Sequence, residues 1–250
     1  MVTAGPHAGS HKGHRAVSDR AGRAVRLAPR QDVQDRQRAY GAQHYGYPPV
    51  VRYAEWRTQV RHGLKALQGS APRLFQDTRH FRVYSSSLLP GLLHTEGYAA
   101  GVLGISAAFR DLPVDDSAEA ARARVDRSLI IHRPGRTFVF VVEEAALRYQ
   151  VRDGDAMAAQ LGYLITAGAL PQVSLGIVPM SAPQRRQWPR ETFHMYDDRL
   201  VSVELVSARV RITQPSEISL YARAFKELRS TAVYGADARA LILQAIETLH

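Results

Sequence analysis

Two apolar runs separated by one amphipathic segment constrain the fold of this chain more than any other feature. The runs Thr137-Phe-Val-Phe-Val-Val142 and Val173-Ser-Leu-Gly-Ile-Val-Pro179 are rich in β-branched and aromatic residues, which is typical of strands buried on both faces. Between them, Asp153 or Asp155 begins a predicted helix whose apolar side runs from Met157 to Ile165. Because a strand, a crossover helix and a second strand form a right-handed unit, the pattern predicts a βαβ unit with parallel strands.

The flanking segments predict the remaining elements of an α+β domain. Residues 81–85 alternate and predict a short strand, residues 192–196 and 200–206 flank an Asp197-Asp198-Arg199 turn and predict a hairpin, and a last strand covers 208–213. Helical spacing is found over 50–77, 95–108, 116–131, 216–230 and 236–249, with Thr95 and either Asp116 or Ser117 as N-caps. The predicted fold class is α+β: a mixed sheet with one parallel βαβ unit and a hairpin, flanked by helices and closed by two C-terminal helices.

Composition places the chain among globular proteins and excludes several chemistries. Of the 250 residues, 45% are hydrophobic and none is cysteine, so disulfides, thiolate metal sites and cysteine nucleophiles are excluded. No apolar run approaches the roughly 18–20 residues that a membrane span needs, and the N-terminus shows no secretory pattern. We therefore expect a cytoplasmic protein with no membrane partner.

The positive charge is concentrated near the N-terminus. The chain has a formal net charge of +10, and residues 1–50 contribute +5 of it. Residues 1–48 show no sustained apolar periodicity, which predicts a basic, disordered tail before a single domain over 49–250. The tail arginines are candidates for weak, non-specific contact with nucleic acid: Arg15, Arg20, Arg23, Arg26 and Arg30. The alternative interpretation is that the arginine content reflects a GC-rich genome.

Three carboxylates are candidate pocket residues. Glu143 and Glu144 follow the buried strand 137–142, and the carboxyl ends of strands in α/β sheets commonly face binding crevices. The alternative is that they are carboxylates at a helix N-terminus, where the macrodipole favours them. Glu204 alternates with Val203 and Leu205, which predicts that it lies on a solvated or pocket-facing side of its strand.

His94, Tyr98 and Trp188 complete the candidate ligand-binding set. His94 ends a Pro90-Gly-Leu-Leu turn segment, where it could cap a helix or contact a ligand, and Tyr98 lies on the helix that follows. Trp188 lies in a basic loop between two strands, which is typical of a lid or a docking loop. By contrast, His194 is interpreted as structural. The arginines of one helix are interpreted as a solvated face, with an acidic partner as the alternative: Arg122, Arg124 and Arg127.

Motifs of nucleotide, metal and nucleophile chemistry are missing from the sequence. The glycines at 91, 97, 101 and 104 do not form a Walker A loop, and neither Gly-X-Ser-X-Gly nor His-Glu-X-X-His occurs. No pair of His, Asp or Glu has metal-ligand spacing on one element. We therefore predict no cofactor and no metal.

An ordered set of short motifs resembles one known family. The motifs are Pro90-Gly-Leu-Leu-His-Thr-Glu-Gly-Tyr-Ala99, Val142-Glu-Glu-Ala-Ala-Leu147, Gln160-Leu161, Val173-Ser-Leu-Gly-Ile-Val-Pro179, Phe193, Val203-Glu204, Pro215-Ser-Glu-Ile218, Tyr221, Phe225 and Ala232-Val-Tyr-Gly-Ala-Asp-Ala-Arg-Ala-Leu-Ile242. Together they resemble the C-terminal domain of actinobacterial XRE-type helix-turn-helix regulators, whose function is uncharacterised and some of whose members are antitoxin-like. The resemblance covers about 50–250 and implies an effector domain.

This sequence departs from the family pattern before the domain. Members usually carry a helix-turn-helix there, whereas residues 1–48 lack the small apolar core that holds a recognition helix in the major groove. His94 also stands where the family more often has glutamine, and the Arg127-Ser128 region lacks the usual Arg-Gln pair. Sequence-specific DNA reading by this chain is therefore not predicted.

Two functions follow from the sequence as alternatives. The first is a stand-alone effector domain of a regulatory system, derived from an XRE-type regulator, that binds a small molecule or a small partner protein; homo-oligomerisation stays open. The second is an enzyme of specialised metabolism that performs acid–base chemistry, such as a cyclisation or an isomerisation. Its candidate catalytic groups are His94, Tyr98, Glu143, Glu144 and Glu204. The sequence favours regulation over catalysis.

Overall fold

The computed structural model describes residues 51–69 and 72–249 together with one short strand pair nearer the N-terminus. The chain divides into two units, Met1–Pro49 and Val50–His250. In the first unit, Val17–Ser18 pairs antiparallel with Ala24–Val25. The predicted tail over 1–48 and its five candidate arginines otherwise lie outside the described residues.

A seven-stranded mixed sheet forms the centre of the second unit. Its strands are β1 (Val51–Glu55), β2 (His80–Ser85), β3 (Thr137–Glu143), β4 (Val173–Val178), β5 (Phe193–Tyr196), β6 (Leu200–Glu204) and β7 (Ala208–Ile212). The order across the sheet is β1-β7-β6-β5-β2-β3-β4. Strands β2, β3 and β4 pair in parallel and all other neighbours pair antiparallel, which confirms the predicted mixed sheet.

Eight helices described by the structure surround the sheet. They are α1 (Trp56–Gln59), α2 (Gly63–Gln68), α3 (Pro72–Asp77), α4 (Glu96–Phe109), α5 (Ser117–Ser128), α6 (Gly154–Gly168), α7 (Pro215–Arg229) and α8 (Gly235–Glu247). Short 3₁₀ turns lie at Gly91–Leu93, Leu129–His132 and Glu144–Leu147. Among the described residues, no helix is both long and apolar enough to cross a membrane.

Local signals in the sequence correctly located several elements. The crossover β3–α6–β4 is the predicted βαβ unit, and β5 and β6 form the predicted hairpin. Thr95 caps α4, since its hydroxyl accepts a hydrogen bond from the Tyr98 amide. Asp153 caps α6 in the same way, with the Ala156 amide as donor at 2.8 Å. Each cap satisfies an amide that the first helical turn leaves without a partner.

Three local predictions need correction. Residues 51–55 are an edge strand paired with β7 instead of the start of a helix. A second parallel crossover joins β2 to β3 through α4 and α5, so the parallel part of the sheet has three strands. Asp116 precedes α5, but its carboxylate accepts hydrogen bonds from the amides of Leu64 and Lys65 at 2.9 Å and thus caps α2.

The two faces of the sheet are covered by different helices. On one face, α7 packs Ile218, Phe225 and Leu228 against apolar residues of several strands, among them Phe193 and Val203. On the other face, the parallel strands contribute an aromatic and aliphatic core that α6 and α8 cover, and Phe81 stacks on Phe138 with 4.8 Å between ring centroids. Burial of this apolar area is the main stabilising contribution to the fold.

One row of directly paired residues crosses the second face of the sheet, and its members change from apolar to polar half-way across. It starts with Leu175 on β4, Phe140 on β3 and Val83 on β2. It continues with His194 on β5, Ser202 on β6, Arg211 on β7 and Arg52 on β1. Directly paired residues project from the same face of a sheet, so the face has an apolar half over β2–β4 and a polar half over β5–β7.

A basic cavity as the candidate functional site

A cavity of about 480 Å³ lies between the polar half of the sheet and the helices that cover it. Its floor consists of polar side chains from three strands: His194, Tyr196, Ser202, Glu204, Arg209 and Arg211. Its opposite wall is formed by side chains of α1–α5, including Gln68, Arg124 and Arg127. The volume is typical of pockets for small molecules.

The lining of this cavity is strongly cationic. Among the described residues, five arginines line it, namely Arg110, Arg124, Arg127, Arg209 and Arg211, against a single carboxylate, Glu204. This described lining contains neither lysine nor aspartate. With both histidines neutral, the formal charge of the lining is therefore +4.

Two arginines of α5 are held in the cavity by a neutral partner. Arg127 donates to the Gln68 main-chain carbonyl at 2.8 Å and to its side-chain oxygen at 2.9 Å. Arg124 donates to the same side-chain oxygen at 3.2 Å. Burial lowers the pKa of Arg124 to about 10, with the charge of Arg127 as the next cause, and burial also lowers the pKa of Arg127. The prediction that these arginines form a solvated face is therefore wrong, whereas Arg122 on the same helix is exposed.

His94 lies behind Arg124 and is only 4% exposed. Its Nε2 donates to the Leu89 carbonyl at 2.8 Å, and its Nδ1 accepts from the Arg124 guanidinium at 3.3 Å. This pair of partners assigns the neutral Nε2–H tautomer. Burial, followed by the charge of Arg124, lowers the pKa of His94 to about 3. His94 thus orients Arg124 as a neutral group and has no free nitrogen for acid–base work.

Glu204 faces the cavity, as the alternation of its strand predicts. Its carboxylate accepts from the Arg209 guanidinium at 3.0 Å, and its side chain is 53% exposed because it opens onto the cavity. Burial by itself would raise the pKa of Glu204, but the charge and the hydrogen bond of Arg209, together with the charge of Arg124, outweigh that effect and hold it below its ordinary value. Glu204 is thus an ionised group that neutralises one arginine.

The arginines of β7 and His194 belong to the cavity but were not among the residues predicted from the sequence. Arg209 and Arg211 alternate with Ala208, Val210 and Ile212, which is the pattern of a strand with one polar face. This alternation indicates that both arginines project from the same face of the sheet. His194 lies on the cavity floor, and its imidazole makes no hydrogen bond within the described residues. Burial lowers its pKa, so the imidazole is neutral near pH 7.

Glu143 and Glu144 are anchors of a loop outside this cavity. Glu143 is buried, accepts from the Tyr84 hydroxyl at 2.7 Å and forms a two-pronged ion pair with Arg185. Glu144 pairs with Arg148 at 3.0 Å and accepts from the Met180 amide at 2.9 Å. Both carboxylates therefore hold residues 179–192, hereafter the 179–192 loop, against the carboxyl ends of the parallel strands.

Tyr98 and Trp188 also lie apart from the cavity. Tyr98 is fully buried, packs its ring edge against His94 and accepts from the Leu89 amide at 3.4 Å. Trp188 is exposed on the 179–192 loop, where the Arg190 guanidinium lies 4.3 Å from its ring. Of the predicted ligand-binding residues, the structure thus brings His94 and Glu204 to the cavity and leaves Tyr98, Glu143 and Trp188 outside it.

Comparison with known families identifies the domain around this cavity. A family model described as a domain of unknown function (DUF5753) matches residues 72–244. The chain belongs to the DUF5753 family. The match includes most of the cavity lining, from Leu74 to Arg211, and lies within the range over which the sequence resembles a regulator domain. No curated protein matches the chain.

Several solved structures are loosely similar to this DUF5753 domain. A phospholipase D family member, Nuc from Salmonella typhimurium, is 12% identical with a TM-score of 0.37 over 75% of this chain and 98% of its own. NucT from Helicobacter pylori is 11% identical with a TM-score of 0.40 over 75% and 99%. TrmBL2, an archaeal chromatin protein, is 10% identical with a TM-score of 0.36 over 82% and 62%. At TM-scores below 0.5, these likenesses show neither a shared fold nor a shared activity.

Proposed function

We propose that this DUF5753 domain is the effector domain of a regulatory system and that its basic cavity binds a small-molecule ligand. The main observation in support is a cavity of about 480 Å³ whose described lining has five arginines and one carboxylate. The resemblance to the C-terminal domain of actinobacterial XRE-type regulators, some of them antitoxin-like, supports regulation as the purpose of binding. A cytoplasmic location is part of the same proposal.

The energetics of the cavity support a binding role. Arginines brought together away from bulk water repel one another and lose hydration, and among the described residues only one of the five has a carboxylate partner. Such an arrangement destabilises the fold unless an anion completes it. Clusters of perturbed ionisable groups in a cavity are characteristic of functional sites.

A contact at the cavity rim provides a route from ligand to surface. The guanidinium groups of Arg110 and Arg209 both lie over the Trp56 ring, at 5.0 and 5.1 Å from its centroid, and the indole N–H donates to the Leu205 carbonyl at 2.8 Å. Arg209 also binds Glu204 inside the cavity. Since Trp56 directly follows β1 at the edge of the sheet, a ligand that redirects Arg209 changes the packing of that edge. A ligand shifts a conformation only through such a difference in contacts.

The same geometry favours binding over the enzymatic alternative. His94 has both ring nitrogens occupied, and Glu143 and Glu144 are each bound by an arginine outside the cavity. Tyr98 is buried, and burial raises the pKa of its hydroxyl. Among the five predicted catalytic residues, His94 and Glu204 line the cavity, but His94 is buried behind Arg124 and Glu204 is ion-paired with Arg209.

Thermal unfolding in the presence of small-molecule extract tests the proposal. The wild-type protein and Ser202→Trp, which fills the cavity floor, are heated with the fraction below roughly 1 kDa from cells that carry the gene. We expect the melting temperature of the wild type to rise and that of Ser202→Trp to stay constant, because only a ligand bound to the native state stabilises it. Far-UV circular dichroism verifies that the variant is folded. An equal shift for both proteins, or no shift for either, contradicts the proposal.

A further inference from the structure

We infer that the ligand is a small organic oxyanion, in which one carboxylate or phosphate group is attached to an aromatic or aliphatic body. This inference rests on the proposed function, because it names the ligand class of the same cavity.

The unbalanced charge of the lining requires an anion. Gln68 accepts hydrogen bonds from both Arg124 and Arg127, but an amide supplies no negative charge. The carboxylate of Glu204 is engaged by Arg209. A monoanion or dianion that enters the cavity is therefore attracted by four arginines, Arg110, Arg124, Arg127 and Arg211, for which the described residues provide no carboxylate within ion-pair distance.

The positions of the α5 arginines suit an oxyanion better than a single-atom ion. Arg124 and Arg127 are three residues apart on α5 and share the Gln68 side-chain oxygen, so their guanidinium groups are held side by side. The Nη2 of Arg124 donates no hydrogen bond within the described residues, and neither does the side chain of Arg211. Guanidinium groups bind planar or tetrahedral oxyanions through two parallel hydrogen bonds.

The rest of the lining specifies an apolar body for the ligand. Leu74, Phe75, Leu88, Val102 and Leu103 line the cavity on the side of the helices. The Phe75 ring lies 5.0 Å from the Arg127 guanidinium, so an apolar surface and a cation are adjacent. A ligand whose ring contacts Phe75 places an acidic substituent within reach of Arg127. Inorganic phosphate alone would leave this apolar surface without a partner.

Isothermal titration calorimetry with matched probes tests the ligand class. Benzoate and phenyl phosphate carry the two candidate oxyanions on the same ring, benzamide is the neutral analogue of benzoate, and inorganic phosphate lacks the ring. We expect at least one aromatic anion to bind at least tenfold more tightly than benzamide and inorganic phosphate; the tighter of the two anions identifies carboxylate or phosphate. Equal affinity for benzamide, or no binding of either aromatic anion, overturns the inference.

Variants on a single helix locate the binding. Arg127→Gln and Arg124→Gln are expected to weaken binding of the preferred anion at least tenfold. The matched control is Arg122→Gln, which removes an exposed arginine of α5 that binds Glu119 outside the cavity and should leave the affinity within twofold of wild type. If Arg122→Gln weakens binding as much as the cavity variants, the anion binds the helix surface and the inference is wrong.

Fluorescence separates failure of this inference from failure of the proposed function. The chain has two tryptophans, so Trp188→Phe leaves Trp56 at the cavity rim as the single reporter. If the aromatic anions leave Trp56 emission unchanged but cell extract alters it, the cavity binds a ligand of another class and only the oxyanion inference fails. If extract and probes both leave the emission unchanged, the proposed function fails with it.

Discussion

The two halves of one sheet face show how the same backbone can support either stability or binding. Across the central row of register partners, Leu175, Phe140 and Val83 lie under α6 and α8 in a continuous core. Their neighbours His194 and Ser202, on the next two strands, face a cavity instead. Strand pairing is uninterrupted from one half to the other, so the difference comes from the side chains of the strands and from the helices that cover them.

The two halves change the free energy of folding in opposite directions. In the apolar half, every side chain that leaves water lowers the free energy of the folded state. In the polar half, arginines are taken from water without matching carboxylates, which raises it. The first half therefore stabilises the domain and the second uses part of that stability for a binding site.

The largest expected change in the free energy of unfolding follows from a substitution in the apolar half. Phe140→Ala removes a fully buried ring from a central strand and should lower the free energy of unfolding by about 3–5 kcal/mol. Urea unfolding measures it. The matched change in the other half is Ser202→Ala, three strands away in the same row, for which we expect a change below about 0.5 kcal/mol. Comparable losses for both variants would show that the two halves pack alike.

The second effect is a pH dependence at the boundary of the cavity. The pKa of His94 is about 3 in the folded protein and about 6.5 in an unfolded chain. Between these values the unfolded state binds the extra proton, so stability falls as the pH falls below 6.5, by up to about 1.4 kcal/mol per pH unit. At pH 5 this amounts to about 2 kcal/mol.

His94→Gln isolates that contribution. A glutamine amide can donate to the Leu89 carbonyl and accept from Arg124, as the imidazole does, but it takes up no proton. Urea midpoints from pH 7.5 to 4.5 should therefore decline less steeply for the variant than for the wild type. Parallel declines would mean that His94 is protonated in the folded protein, contrary to its buried environment.

The smallest expected change in the free energy of unfolding concerns Arg211, in the polar half of the sheet face. Arg211 lies directly opposite Arg52 in the ladder of β7 and β1, and like charges in that position are destabilising. Arg211→Thr should raise the free energy of unfolding by about 0.5 kcal/mol. Arg82→Thr, in contrast, removes an ion pair with Asp198 at 2.6 Å and should lower it slightly. A loss of stability in Arg211→Thr would contradict the idea that the cavity is strained by its own charge.

Sequence patterns located the apolar half and part of the polar one. The runs at 137–142 and 173–179 specified two neighbouring parallel strands, and alternation around Glu204 assigned it to a polar face, because both signals are local. The edge strand β1 was missed because its partner β7 lies about 150 residues later in the chain. The inward direction of Arg124 and Arg127 was missed because it depends on Gln68, more than 50 residues earlier. Long-range contacts of this kind produce no periodic pattern of apolar and polar residues in the sequence.

The strand order has a consequence for a chain that is cut in the 179–192 loop. The N-terminal piece would retain β1 and β2–β4, and the C-terminal piece would retain β5–β7, which lie between β1 and β2 in the sheet. Two separate ladders, β1 with β7 and β2 with β5, would still join the pieces. Because the strands of the C-terminal piece lie between two strands of the N-terminal piece, two separately expressed halves of the chain should reassemble into one sheet without a covalent link.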